Sequence, residues 1–285
     1  MKQKSNPVDF NKFDGGFTIL MAVYAKDDIQ LFEKAVYSVF LNSIIPDAFI
    51  LVVDGPVPDL MSASISSLID RYKIDPIYLS KNIGLSGALN IGLGKVSTRW
   101  VVRADADDYN LANRFSLQAS AINSHKKNID IIGGAILEID KQGNHLGVRR
   151  TVCAHDEILS FLKRRNPFNH MTVAFRVDIA RKCGGYPNIY LKEDYALWAK
   201  MISEGAYTMN LPNILVHATA GKDMYRRRGG FRYALAEISL QRYLVSLGLK
   251  HVISALIDGV CRSFIFILPP VMRGLIYKKV LRSKG

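Results

Sequence analysis

Short apolar runs that alternate with amphipathic segments constrain this chain more than any other feature. "FTILMAVYA" (17 to 25), "DAFILVVDG" (47 to 55), "DPIYLS" (75 to 80) and "RWVVRAD" (99 to 105) are separated by helical spacing at 29–41, 60–72 and 84–96. Strand, helix and strand at this spacing build parallel βαβ units. Sheets of that kind bind ligands outside the carboxyl ends of their strands. The residues to watch are therefore those that follow each run: Tyr24 through Asp28, Asp54 with Gly55, and Asp105 through Asp108. After Asp108 the alternation breaks. The pattern predicts a helix over 112–125, a hairpin turning at "KQGN", a helix over 155–164, a strand "MTVAFR" over 171–176, and a helix beginning near Tyr195 and ended by Gly205. The expected fold is α/β, with a mixed, mostly parallel sheet flanked by helices.

At 285 residues and 49% hydrophobic, the chain can bury a sizeable core, which excludes a disordered protein. No run reaches the roughly 18 apolar residues of a spanning helix. The polar start "MKQKSNPVDFNKFDGG" shows no hydrophobic signal segment, so a cytoplasmic location is expected. Cys153, Cys183 and Cys261 are widely spaced, which fits a reducing compartment and speaks against a disulfide framework or a thiolate metal site. Charge is uneven: from Gly221 onward thirteen Lys and Arg face three acids, so about +10 of the net +13 lies in the last 65 residues. That stretch is long, helical and basic, interrupted by Pro269 and Pro270. It reads as helices lying on an anionic membrane surface rather than crossing it. The expected division is a folded α/β domain over 1–220 and a basic helical extension over 221–285.

Asp105 and Asp107 stand at alternate positions where a strand has just ended, so both carboxylates can lean on one hard cation. Ligation by oxygen alone suits Mg²⁺ or Mn²⁺, which then bridges to substrate phosphates. An Asp-rich loop is often no more than a turn with helix caps, and the neighbouring motifs carry the distinction. "SKNIGLSGALNIGLG" (80 to 94) sets Asn82 and Gly84 at a strand-to-helix junction, with Asn90 and further glycines along the helix. Small residues there permit close backbone approach by a ligand. Arg103 is placed to face a phosphate. In "IYLKEDYALWAKMISEG" (189 to 205), Glu193 and Asp194 open an amphipathic helix, where acids suit the helix dipole and where one could also act as a general base. His170 sits at a strand entrance, as a core histidine or a substrate contact. No Ser/His/Asp or His-Glu-x-x-His signature appears, so a hydrolase is unsupported.

Taken together, "TILMAVYAKD", "LVVDGP", "NIGLSGALNIGL", "RADADD" and "KEDYALWAKMISEG" followed by "LPNILVHA" resemble inverting glycosyltransferase family 2 over roughly residues 17 to 220. The likeness is strongest to bacterial enzymes of O-antigen and exopolysaccharide synthesis, including β-1,3-galactosyltransferases acting on undecaprenyl-diphosphate acceptors. It implies a GT-A (Rossmann-like) fold. It also implies that Tyr24 and Asp54 hold the nucleobase, that Asp105 lies nearer the ribose, and that Asp107 is the direct metal ligand for Mn²⁺ or Mg²⁺. Asn82, Gly84, Asn90 and Arg103 complete the expected donor site. Asp194, with Glu193 beside it, is the expected base. His170, Arg226, Arg227 and Arg228 are expected to contact the acceptor or the diphosphate. "LVVDGP" lacks the second acid and the serine of the commoner Asp-Asp-Gly-Ser.

The function this resemblance implies is metal-dependent transfer of a hexose, galactose foremost, from a UDP-sugar to a saccharide carried on a lipid diphosphate. The enzyme would work as a peripheral protein on the cytoplasmic face of the bacterial inner membrane, with no nucleic acid as partner. Two other readings compete. A sugar-phosphate nucleotidyltransferase shares strand-end aspartates but carries a glycine-rich loop after its first strand, where this chain has "VYAKDDIQ". A basic nucleic-acid-binding module explains the C-terminal charge but leaves both acidic clusters without a task.

Overall fold

The structure, a computed structural model, describes residues 12–220 and 229–268. Among the described residues nine strands form one sheet: β1 (Phe17–Val23), β2 (Ala48–Val53), β3 (Asp75–Tyr78), β4 (Trp100–Arg103), β5 (Tyr109–Asn110), β6 (Ile131–Ile139), β7 (His145–Arg149), β8 (Ala174–Arg176) and β9 (Thr208–Thr219). Their order is β3-β2-β1-β4-β8-β6-β9-β5, with β7 pairing on β6. The pairs β2–β3, β1–β2 and β1–β4 are parallel, while β8 runs antiparallel to both β4 and β6. The crossovers are α1 (Ile29–Phe40), α2 (Asp59–Arg71) and α3 (Leu85–Lys95), as the spacing predicts.

Side chains along β1 divide by parity, as a two-residue period requires. Phe17, Ile19, Met21 and Val23 enter one apolar core, and Leu20 enters the other. The first core is closed by α1, α2 and α4 (Arg114–Ser124), and the second by α3, α5 (His155–Leu162), α6 (Val177–Lys182) and α7 (Glu193–Ser203). Helix α3 lies close on the sheet: a Cβ on Gly92 would come within 2.4 Å of Leu20 Cδ1 and 2.9 Å of Val52 Cγ2. The glycines along α3 were expected to let a ligand approach, but at Gly92 the close neighbour is the sheet itself.

The strand expected over 171–176 is shorter. His170–Thr172 form one 3₁₀ turn and only Ala174–Arg176 are extended. The turn arises because polar groups compete with the ladder: Thr172 N–H donates to Asn169 O at 2.8 Å, and Gln118 Nε2 donates to Thr172 O at 2.8 Å.

Helices α8 (Phe231–Ser246) and α9 (Val252–Ile267) form a C-terminal pair. Leu240 and Leu244 of α8 belong to the same core as α7, so this pair is joined to the α/β body by shared packing. Helix α9 turns Ala255, Gly259, Ser263 and Phe266 inward. Its opposite side bears Val252, Ile253, Leu256, Ile257, Val260, Phe264 and Ile267, each more than half exposed. Among the described residues no helix is long and apolar enough to cross a membrane.

Candidate active site

Strand order 3-2-1-4 puts the switch point of the parallel half between β1 and β4, where an α/β sheet opens a crevice at its carboxyl edge. Tyr24 follows β1 in a turn closed by its own N–H, which donates to Asp27 Oδ2 at 2.9 Å. Asp54 follows β2 and is buried, accepting from the Ile83 amide at 2.8 Å and the Gly84 amide at 3.0 Å. Asn82 Nδ2 donates to Asp54 O at 3.0 Å. The expected nucleobase residue therefore fastens the loop that opens α3. Gly84 begins that helix with φ 85° and no atom near an added Cβ, so glycine is needed there for its backbone.

Asp105, Asp107 and Asp108 follow β4, with one possible ligand oxygen from each lying within 4.8 Å of the others. Two buried cations make the crowding tolerable. Arg103 Nη2 stands 2.5 Å from Asp105 Oδ1, and Arg103 Nη1 donates to Leu20 O at 3.0 Å. Arg114, fully buried, donates through Nη2 to Arg103 O at 2.8 Å. Burial lowers the Arg114 pKa to about 9 against the opposing pull of Asp105. Arg103, expected from the sequence to face a phosphate, is 1% exposed and paired with Asp105.

Asp108 is buried, and its Oδ1 accepts from the Thr219 amide at 2.8 Å. Its Oδ2 is buried with no hydrogen-bond partner. Burial, followed by repulsion from Asp107 and Asp105, pushes its carboxyl well above the usual carboxylate range. A divalent cation suits such a set: hard oxygen donors, one orphaned oxygen among them, and negative charge in excess of the local arginines. Beside them lies a cleft of about 340 Å³ lined in part by Lys34, Asp107, Asp108, Lys141 and His217.

The second acidic pair opens α7. Glu193 is 8% exposed and faces inward, and burial and the neighbouring Asp194 push its carboxyl up to about 7. Asp194 is only half-buried, accepting from Asn166 Nδ2 at 2.6 Å and from the Tyr195 amide at 2.7 Å. Of the two acids, Asp194 is the one presented outward. Leu191, two residues before the pair, has φ 53°, the one non-glycine with positive φ among the described residues. Such a conformation costs about 1–2 kcal/mol in an ordinary side chain.

Electrostatics tie the two acidic loops into one place. His170 is half-buried with Nε2 3.3 Å from the Tyr186 hydroxyl. Burial lowers the His170 pKa, and Arg103, Asp194 and Asp105 all act on it. The same three act on the Tyr186 hydroxyl, which burial holds protonated across the physiological range. The charge of Asp105 also reaches Glu193. Arg103, Asp105, His170, Tyr186, Glu193 and Asp194 thus lie near one another.

Residues 18–184 match the family described as Glycosyl transferase family 2. The chain belongs to that family. It is 35% identical to UDP-Gal:alpha-D-GlcNAc-diphosphoundecaprenol beta-1,3-galactosyltransferase of Escherichia coli, over 93% of this chain and 96% of that one. It is 32% identical to the amylovoran biosynthesis glycosyltransferase AmsE of Erwinia amylovora, over 92% and 98%. A mannosyltransferase of Pyrobaculum calidifontis, solved with GDP-Man and Mn²⁺, superposes with a TM-score of 0.62 at 14% identity, over 98% of this chain and 84% of that one. That likeness confirms the GT-A fold of this glycosyltransferase.

Several expected site residues have other work in this glycosyltransferase. Asn90 spends its amide on the Tyr186 backbone, donating to Tyr186 O at 2.9 Å and accepting from Tyr186 N–H at 2.7 Å. It braces α3 against the 183–187 loop, where the sequence leads one to expect a donor contact. Arg226, Arg227 and Arg228 lie outside the described residues. Sequence reasoning counted Asp108 in the crowded acids but left it out of the ligand set. It also missed Asn166 and Tyr186, whose partners Asp194 and Asn90 lie 28 and 96 residues away, and Arg114, whose partners Asn110, Gln118 and Arg103 are near in sequence but form no motif.

Proposed function

We propose that this enzyme transfers one hexose, galactose, from a UDP-sugar to a saccharide carried on a lipid diphosphate, inverting the anomeric configuration in a single displacement. The substrates named for the Escherichia coli relative, aligned over nearly the whole of both chains, support the donor and acceptor classes. The observation that carries the chemistry is the cluster of Asp105, Asp107 and Asp108 at the end of β4, each offering an oxygen within 4.8 Å of the others.

Asp105, Asp107 and Asp108 would hold Mn²⁺ or Mg²⁺, which when bound neutralises charge on the departing diphosphate. Asp194 accepts the proton of the acceptor hydroxyl as its oxygen bonds to the anomeric carbon. The bond from that carbon to the diphosphate oxygen breaks, and UDP leaves. Charge of oxocarbenium character develops at the anomeric carbon during this exchange. Tyr24 and the loop formed by Asp54, Asn82 and Gly84 are assigned to the nucleoside end. Arg226, Arg227 and Arg228 are assigned to the leaving group or acceptor from the sequence alone.

The exposed apolar face of α9 and the basic residues that follow it in sequence support a place on anionic lipid at the cytoplasmic face of the bacterial inner membrane. A diphosphate-lipid acceptor resides at such a surface. The test is a donor panel. Purified protein is given Mn²⁺ or Mg²⁺, several UDP-sugars in turn and a synthetic GlcNAc-diphosphate-lipid, with product read by mass. Addition of one hexose from UDP-Gal, lost on chelation, is the expected result. Product from a different donor alone would reassign the sugar, and none from any donor would overturn the acceptor class.

A further inference from the structure

The three residues that precede the acidic pair of α7 are all held by the C-terminal helices. Arg232 of α8 lies over the Tyr190 ring with its guanidinium carbon 3.9 Å from the centroid. Leu191, in its left-handed conformation, packs against a small cluster of Tyr233, Ala234 and Phe266. Lys192, the N-cap residue of α7, extends its ammonium over Tyr233 at 4.4 Å and Phe266 at 5.4 Å from the ring centroids. There it meets Glu237 Oε2 at 2.9 Å.

Glu237 is fully buried in the middle of α8 and is held from three sides. Lys192 approaches one oxygen, Arg262 of α9 stands 3.3 Å from the other, and Gln241 Nε2 donates to it at 2.8 Å. Lys250, mostly buried, continues the chain of contacts by donating to Gln241 Oε1 at 2.7 Å. An isolated charge this deep is strongly unfavourable, so the geometry must be kept or the group neutralised. Here it is kept. The Lys192 side chain is therefore fixed at both ends, and the backbone it caps carries Glu193 and Asp194 as its next two residues.

We propose that Lys192 is a positioning residue for the transfer reaction: its ion pair with Glu237 inside the α8–α9 aromatic cradle sets the orientation of Asp194. This rests on the reading of Asp194 as the base. The C-terminal pair then serves the chemistry as well as the surface on which the enzyme works. A misplaced base should lower turnover without weakening the donor, since Tyr24, Asp54 and the 105–108 loop are built from other elements.

Three variants test this in the full-length enzyme. Lys192→Met removes the charge and keeps the length. Lys192→Met with Glu237→Gln removes both charges, so that no carboxylate is left buried and short of a partner. Lys192→Arg keeps the cation. The first two should lose on the order of ten- to a hundredfold in kcat, with the UDP-sugar KM within about twofold of wild type. Amide exchange across residues 190–196 should rise while that across 80–95 and 103–108 stays unchanged. Lys192→Arg should recover most of the lost kcat. A kcat per folded molecule equal to wild type in the doubly substituted enzyme, while Asp194→Asn is inactive, would overturn the proposal. If Asp194→Asn itself turned over normally, the base reading would fall. In that case the exchange data alone decide, unchanged protection across 190–196 counting against Lys192 as a positioning residue.

Discussion

The two acidic loops of the crevice are built in opposite ways. The 105–108 loop follows a buried parallel strand, and its cations, Arg103 and Arg114, lie within eleven residues of one another in sequence. The 190–194 loop is held by Glu237, Tyr233 and Phe266, which lie forty residues or more further along the chain. The first loop takes its cations from nearby in sequence and is fastened by Thr219 of β9, all within the α/β body. The second is packed on the C-terminal helices through Tyr190, Leu191 and Lys192. Binding of the nucleotide diphosphate and the proton transfer should therefore fail independently when the chain is altered.

The largest effect is expected from Asp194→Asn, whose amide keeps the shape and cannot take a proton. Transfer should fall by on the order of 10²–10⁴, the usual worth of a positioned general base, with UDP binding retained by calorimetry. Asp107→Ala should do the reverse, weakening Mn²⁺-dependent UDP binding by on the order of tenfold or more while leaving amide exchange at 190–196 unchanged. Equal loss of binding in both variants would break the comparison.

Glu193 sharpens the comparison through pH. Its folded pKa of about 7 lies above the ordinary 4.5, so the folded state keeps a proton that the unfolded chain gives up. Stability from this group is full below about 4.5, falls as pH rises, and is lost above about 7. Glu193→Gln should therefore gain on parent as pH rises from 5 to 8, by on the order of 1–3 kcal/mol, read from denaturant unfolding at each pH. A constant difference across that range would contradict the inward placement of this side chain. The smallest effect is expected on the outer face of α9. Leu256→Asp with Phe264→Asp should reduce cosedimentation with anionic vesicles while leaving kcat on a short-chain soluble acceptor within about twofold.

The difference between the loops also explains what could be read from the sequence. The period-two and period-3.6 patterns of the first hundred residues announced β1–α1–β2–α2–β3–α3–β4, and strand ends located Asp54 and Asp105 to Asp108, because these features depend on neighbours in sequence. Arg103 and Asn90 have partners that are not legible in the sequence. Their side chains turn toward Leu20 and Asp105 in one case and the Tyr186 backbone in the other, a matter of packing that no local pattern records. The strand at 171–176 is shorter because Thr172 turns its amide and hydroxyl back to Asn169 O, and its carbonyl accepts from Gln118 of α4. The Lys192–Glu237 pair has no sequence signature at all, since a lysine before two acids reads as a solvated helix start.

The central claim is that both loops act on one sugar from opposite sides in a single displacement. The anomeric configuration of the product tests it most directly, by proton NMR of the isolated glycolipid formed from an α-linked UDP-sugar. The expected product is a β-glycoside, recognised by the large coupling between axial H1 and H2. An α-glycoside would mean two displacements or a different face of attack, and the roles given to Asp194 and the 105–108 acids would have to be withdrawn.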